Sequence, residues 1–155
     1  MQKPLFRTRQ KSLIYLLPLL TIGLSGFLLL RKKKSTNSLF DYLDKTKFSS
    51  LKKYIIAQSK VESANYNSAL FLRSNNPFGM KNASKRNQLG FAVSGDPYRH
   101  YNSVLEAIQD FTLYLDYVGF PLSVNSPEQY AGNLKRRGYF ESDVNDYSNA
   151  LKSWL

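Results

Sequence analysis

Cysteine is absent from the 155-residue chain, so neither a disulfide, a thiolate nucleophile nor a cysteine-ligated metal centre can be built from it. Histidine is nearly absent too. His100 is the single one, and a lone imidazole without a His-x-x-Glu-His type of spacing does not make a zinc site. It reads as a surface residue of a hairpin. Acid is missing from two long stretches: residues 1–34 hold none, and neither does the run from Ser63 to Gly95. No internal repeat and no low-complexity segment is present.

The net charge is +11, from 22 Lys and Arg against 11 Asp and Glu. Much of it is local. Lys3, Arg7, Arg9 and Lys11 precede the charge-free segment Ser12–Leu30, and Arg31, Lys32, Lys33 and Lys34 follow it. The remainder is close to balanced and has no dense basic stripe, so no nucleic-acid partner is expected. Nineteen uncharged residues make a helix about 28 Å long, close to the hydrocarbon thickness of a bilayer. Pro18, Gly23 and Gly26 suit a membrane helix better than a soluble one. The run ends in Leu-Leu-Leu before Arg-Lys-Lys-Lys, with no small-x-small site for a signal peptidase, so the expectation is an uncleaved transmembrane helix. Basic flanks would bind anionic head groups. Equal charge on both sides leaves the orientation open. The expected layout is a basic tail (1–11), a membrane helix (12–30), a basic linker (31–37) and one domain (38–155).

Within that domain the helix signals dominate. Ser38 could cap a short first helix with Leu39, Phe40 and Leu43 on one face. Ser49 or Ser50 would cap the next, whose apolar face is Leu51, Tyr54, Ile55 and Val61. Gln58 and Glu62 lie four apart and share a face. Asn65–Met80 reads as loop with one helical turn at Ser68–Leu72, and Lys81–Tyr101, with Gly90, Gly95 and Pro97, as a short hairpin. Ser103 with Glu106 forms a capping box for a helix carrying Val104, Ala107, Ile108, Phe111 and Leu115. Ser126-Pro127-Glu128 opens another helix that stops at Gly138, and Asp143 or Asn145 opens the last. The fold class expected is α+β, mainly helical, with a small hairpin lobe forming one wall of a cleft. Aromatics are abundant, with 11 Tyr and 10 Phe; most fill the core, and some suit a sugar groove.

The most informative stretch is Ala57-Gln58-Ser59-Lys60-Val61-Glu62-Ser63, followed by Asn75-Asn76-Pro77-Phe78-Gly79-Met80-Lys81. It sets one carboxyl at the end of an apolar helix beside a compact turn. A desolvated carboxyl holds its proton toward neutral pH, and a protonated carboxyl is what a glycosidic oxygen needs in order to leave. The two blocks, together with Tyr98-Arg99-His100-Tyr101-Asn102-Ser103 leading into a helix and the closing Gly138-Tyr139 segment, resemble the glucosaminidase group of the lysozyme-like fold, family 73 of the glycoside hydrolases.

That resemblance implies a lysozyme-like domain cleaving the β-1,4 glycan of peptidoglycan at N-acetylglucosaminyl bonds, without metal or cofactor. It implies Glu62 as general acid and Tyr139 as the active-site tyrosine that steadies charge in the transition state. Relatives often carry a second Glu on the hairpin; here Asp96 is the only acid the hairpin offers, either as that group's replacement or as a turn residue. Asn75, Asn76 and Phe78 are expected mainly to hold the turn; Asn76 and Phe78, with Tyr98 and Tyr101, are also the substrate-contact candidates. Without a second carboxylate, a lytic transglycosylase or a noncatalytic glycan-binding membrane protein are the alternatives. The expected location is a membrane with the domain facing peptidoglycan, in a bacterial envelope or a membrane-containing phage virion.

Overall fold

A computed structural model describes residues 38–155. The expected membrane helix at 12–30, with its basic flanks, lies outside the described residues. Among the described residues no helix is long and apolar enough to cross a membrane.

The chain enters through a 3-10 helix, Phe40–Lys45, which buries Phe40 and Leu43. A second 3-10 turn, Ser49–Leu51, runs directly into α1 (Lys52–Glu62), so Leu51 occupies the cap position and no serine side chain caps this helix, contrary to the sequence expectation. The 3-10 turn leaves Ser49 and Ser50 inside the helical path, where a cap geometry is not available. Ser68 does cap α2 (Ala69–Ser74), accepting from Phe71 N–H, and Asn75 ends it in the left-handed region at φ 52°. The hairpin is minimal. β1 (Phe91–Ala92) pairs antiparallel with β2 (Arg99–His100), Phe91 opposite His100, and an isolated bridge joins Lys81 to Tyr98.

The second half is helical: α3 (Val104–Tyr117), α4 (Pro127–Arg136) and α5 (Val144–Lys152). Ser103, Ser126 and Asp143 cap them through the N–H of Glu106, Gln129 and Asn145. Only half of the Ser103–Glu106 box closes. The Glu106 carboxylate reaches instead to Asn102 N–H (2.7 Å) and Gly90 N–H (3.2 Å), tying the hairpin to α3.

One continuous core unites these parts. Phe78 of the turn stacks on Phe111 of α3 (4.1 Å between centroids) and meets Phe40 edge-on, while Tyr54 of α1 stacks on Tyr130 of α4 (5.2 Å). Helix α5 packs on α4 and on α1. The result is a mainly helical domain with a small two-stranded antiparallel sheet.

Side chains rather than strand ladders hold the hairpin lobe. The buried Asp110 carboxylate of α3 accepts from the two terminal guanidinium nitrogens of Arg86, Nη1 and Nη2 (2.9 and 2.8 Å), Leu89 N–H (2.9 Å) and Tyr101 Oη (2.8 Å). Four donors around one buried carboxylate compensate its desolvation. Arg99 spans the loop, donating to Leu89 O (2.7 Å) and Gly90 O (2.8 Å). Gly90, at φ +70°, passes so close that a Cβ there would lie 2.2 Å from His100 O, so only glycine fits.

Candidate active site

Glu62 is the last residue of α1, and the chain behind it turns through three consecutive left-handed residues, Ala64 (φ 49°), Asn65 (φ 54°) and Tyr66 (φ 65°). Such a run of non-glycine residues costs roughly 1–2 kcal/mol per residue and persists only where the surroundings hold it. Here Ser63 Oγ accepts from Tyr66 N–H (2.8 Å), and Tyr66 Oη meets Ser59 Oγ (2.8 Å) inside the core. The helix is thereby stopped at Glu62, whose carboxyl lies between Tyr147 and Gly79.

The two oxygens of that carboxyl are unlike. Tyr147 Oη of α5 donates to Oε1 at 2.6 Å. Oε2 faces Gly79, 3.7 Å from where a Cβ on that glycine would sit. Burial raises the Glu62 pKa above the usual carboxylate range, and the Tyr147 hydrogen bond only partly offsets it. Beneath lies a layer of polar groups. Gln58, buried one turn earlier on α1, accepts from Tyr130 Oη at 2.6 Å. Tyr139 Oη donates to Phe78 O at 2.5 Å. Burial, reinforced by the neighbouring Glu62 charge, pushes the phenols of Tyr139 and Tyr147 upward, so both stay protonated donors.

Above Glu62 opens a cleft of about 740 Å³. Phe78, Gly79 and Glu62 form its floor, the loop 81–86 one wall, and Tyr114, Tyr117 and the segment 137–141 the other. The cations on it differ in availability. Arg86 is committed to Asp110, and Arg137 to Val118 O and Gly119 O, whereas Lys81 and Lys85 are exposed. Among the described residues no three His, Asp or Glu side chains converge on a metal position.

A half-shielded carboxyl whose burial favours the protonated form, on the lining of a cleft, suits proton donation to a glycosidic oxygen. The family profile described as glucosaminidase, mannosyl-glycoprotein endo-beta-N-acetylglucosaminidase, matches residues 42–155. The chain belongs to the glucosaminidase family. It is therefore a glycoside hydrolase domain, and the membership implies hydrolysis of the peptidoglycan glycan. No curated protein sequence matches the chain. Among solved structures it is similar to a chain of a type VI secretion system effector–immunity complex from Pseudomonas protegens, with a TM-score of 0.55 and 15% identity over 77% of this chain and 90% of that one. At that identity the likeness is one of fold.

Within this glucosaminidase domain Glu62 and Tyr139 come together, but several expected contacts do not reach the cleft. Asp96 is not among the cleft-lining residues. Its carboxylate is held by His100 Nε2 (2.9 Å), Tyr98 N–H (3.0 Å) and Arg73 (3.0 Å), which together pull its pKa down to about 2. It is a turn anchor. His100 is correspondingly not a surface residue; it is 9% exposed against Asp96. Asn76, 1% exposed, spends its amide on Met80 O (2.8 Å), Arg99 O (2.9 Å) and Met80 N–H (3.0 Å), so it shapes the turn and cannot meet substrate. Tyr101, 2% exposed, is likewise consumed by Asp110. Tyr98 is off the cleft, and the Phe78 ring belongs to the core, although the residue lines the floor. Tyr139 lines the cleft, but its hydroxyl is tied to a backbone carbonyl rather than aimed at the groove.

Three residues of the site were not foreseen. Tyr147 sits on the apolar face of an amphipathic helix, where nothing in the pattern separates a donor from a core ring. Gly79 was visible only as part of its turn. Glu141 lies two residues beyond Tyr139, a position that the search for a hairpin acid passes over.

Proposed function

We propose that the protein is a membrane-anchored peptidoglycan hydrolase of lysozyme-like layout that cleaves the β-1,4 glycan at N-acetylglucosaminyl bonds, with Glu62 as general acid. The observation that carries this is the asymmetry of the Glu62 carboxyl. Oε1 is engaged by Tyr147, burial favours the protonated form, and Oε2 meets the cleft beside a residue without a side chain. A glycan lying in the groove would receive the Oε2 proton on its bridging oxygen as the bond to the anomeric carbon breaks. Tyr139 acts mainly by position: its hydroxyl holds the Phe78–Gly79 turn against the helical lobe, keeping the floor at a fixed distance from Glu62. The charge-free segment Ser12–Leu30 would keep the domain at a membrane facing the wall polymer.

The test is Glu62→Gln on the full chain against purified peptidoglycan. The expected loss is at least ~100-fold. A wild-type rate with the fold intact by circular dichroism would overturn the assignment. Mass spectrometry of the products identifies the bond, since reducing N-acetylglucosamine ends are expected and reducing muramic acid ends are not. A second reading, a lytic transglycosylase, is favoured by the removal of Asp96 from the cleft and the lack of acid on the wall 81–86. Anhydro-sugar ends would establish it.

A further inference from the structure

Two carboxylates, and only two, line the cleft among the described residues: Glu62 on its floor and Glu141 on the wall formed by 137–141. Their surroundings differ in every respect that matters for acid–base work. Glu62 is shielded, hydrogen-bonded and biased toward its protonated form. Glu141 is exposed and has neither an ion-pair partner nor a side-chain hydrogen bond among the described residues. The other acids near the hairpin lobe are spent: Asp96 on Arg73 and His100, Asp110 on Arg86, Glu106 on Asn102 and Gly90.

The backbone that carries Glu141 is fixed from three sides. Tyr139 N–H donates to Leu134 O (3.1 Å) and its hydroxyl to Phe78 O (2.5 Å). Phe140 stacks on Tyr147 at 4.0 Å, the same ring whose hydroxyl holds Glu62. Lys135 Nζ of α4 then binds the carbonyl oxygens of Glu141 (2.5 Å) and Ser142 (2.9 Å). The lysine satisfies the backbone and leaves the Glu141 carboxylate free. An unpaired acid on a stitched loop, at the wall of a cleft whose floor is the proton donor, is placed for a role that needs a free carboxylate and access to water.

We propose that Glu141 is the second carboxylate of this active site, the general base that activates water. This rests on the reading of Glu62 as general acid. Glu62 gives its proton to the glycosidic oxygen, which leaves with the electron pair of the broken bond. A water held by Glu141 attacks the anomeric carbon from the opposite face, and its proton passes to Glu141. The hydroxyl remaining on carbon completes a reducing end of inverted configuration. Afterwards the proton on Glu141 returns to solvent, and Glu62 is reprotonated from it. Water between the carboxylate and the sugar is the arrangement of inverting hydrolases, and it accords with an exposed base rather than a buried nucleophile.

The test compares Glu141→Gln, Glu62→Gln and Glu141→Ala in the full chain on purified peptidoglycan, with proton NMR of the newly formed ends. Glu141→Gln is expected to lower kcat about 100- to 10,000-fold, with an unchanged melting temperature and loss of the acidic limb of the pH–rate profile. Azide is expected to restore turnover of Glu141→Ala and to yield a glycosyl azide of inverted configuration. Glu141→Gln within a few-fold of wild type, retained configuration, or anhydro ends would overturn the assignment of Glu141 and leave Glu62 standing. Full activity of Glu62→Gln would instead remove the premise, so the two failures are distinct.

Discussion

At the scale of single residues, the Glu62 carboxyl has a thermodynamic cost that follows from its environment. Its pKa is raised on folding, so between the unfolded and folded pKa values the native state binds more protons than the unfolded chain. Stability is then greatest in acid and falls as pH rises through the folded pKa. Glu62→Gln removes that penalty. Its melting temperature is expected to exceed that of the wild type at pH 7 and to match it near pH 4, a gain in stability from the same substitution that is expected to cost activity. Tyr147→Phe leaves the carboxyl in place and changes its titration. The Tyr147 hydrogen bond lowers the Glu62 pKa, so its removal leaves burial unopposed. The basic limb of the pH–rate profile, set by the acid losing its proton, is expected to move to higher pH, while kcat falls because Oε1 is no longer oriented. An unshifted limb would mean that Tyr147 does not control the proton donor.

At the scale of elements, the hairpin lobe depends on a single carboxylate more than on its own strands. β1 and β2 share two residue pairs, whereas Asp110 gathers Arg86, Leu89 and Tyr101 from across the lobe. Asp110→Ala leaves Arg86 buried without its partner and is expected to cost about 3–5 kcal/mol, read as a drop in chemical-denaturation midpoint. An equivalent loss from Asp96→Asn is not expected, since the Asp96 cluster lies nearer to water. The sequence made α3, α4 and α5 legible because Ser103, Ser126 and Asp143 are local caps that need no tertiary partner. It made Glu62 legible because the residue ends an apolar helix beside a turn-forming block. It did not make Asp110 or Tyr147 legible, because their partners lie 9 to 24 and 85 residues away. Nor did it reveal that Asn76 and Tyr101 are buried, since polar and aromatic side chains read alike whether they face a groove or close a backbone hydrogen bond.

At the scale of the whole molecule, a domain of nearly balanced charge follows an apolar, charge-free segment between two basic clusters. The full chain is expected to stay with membranes through high-salt and carbonate washes, and residues 38–155 to remain in the supernatant. Release of the intact chain by salt alone would show that the basic clusters hold it, not the apolar segment. The cleft itself is assembled from two kinds of material. Its floor turn and the segment 137–141 are packed onto the helices through stacked rings, while the wall 81–86 hangs from the polar knot around Asp110. Polar knots with little apolar burial open at lower free energy than ring-packed cores, so native-state hydrogen exchange would resolve this domain into two cooperative units. The boundary between them is expected to run along the groove, with Glu62 on the slow-exchanging side and the loop 81–86 on the fast one.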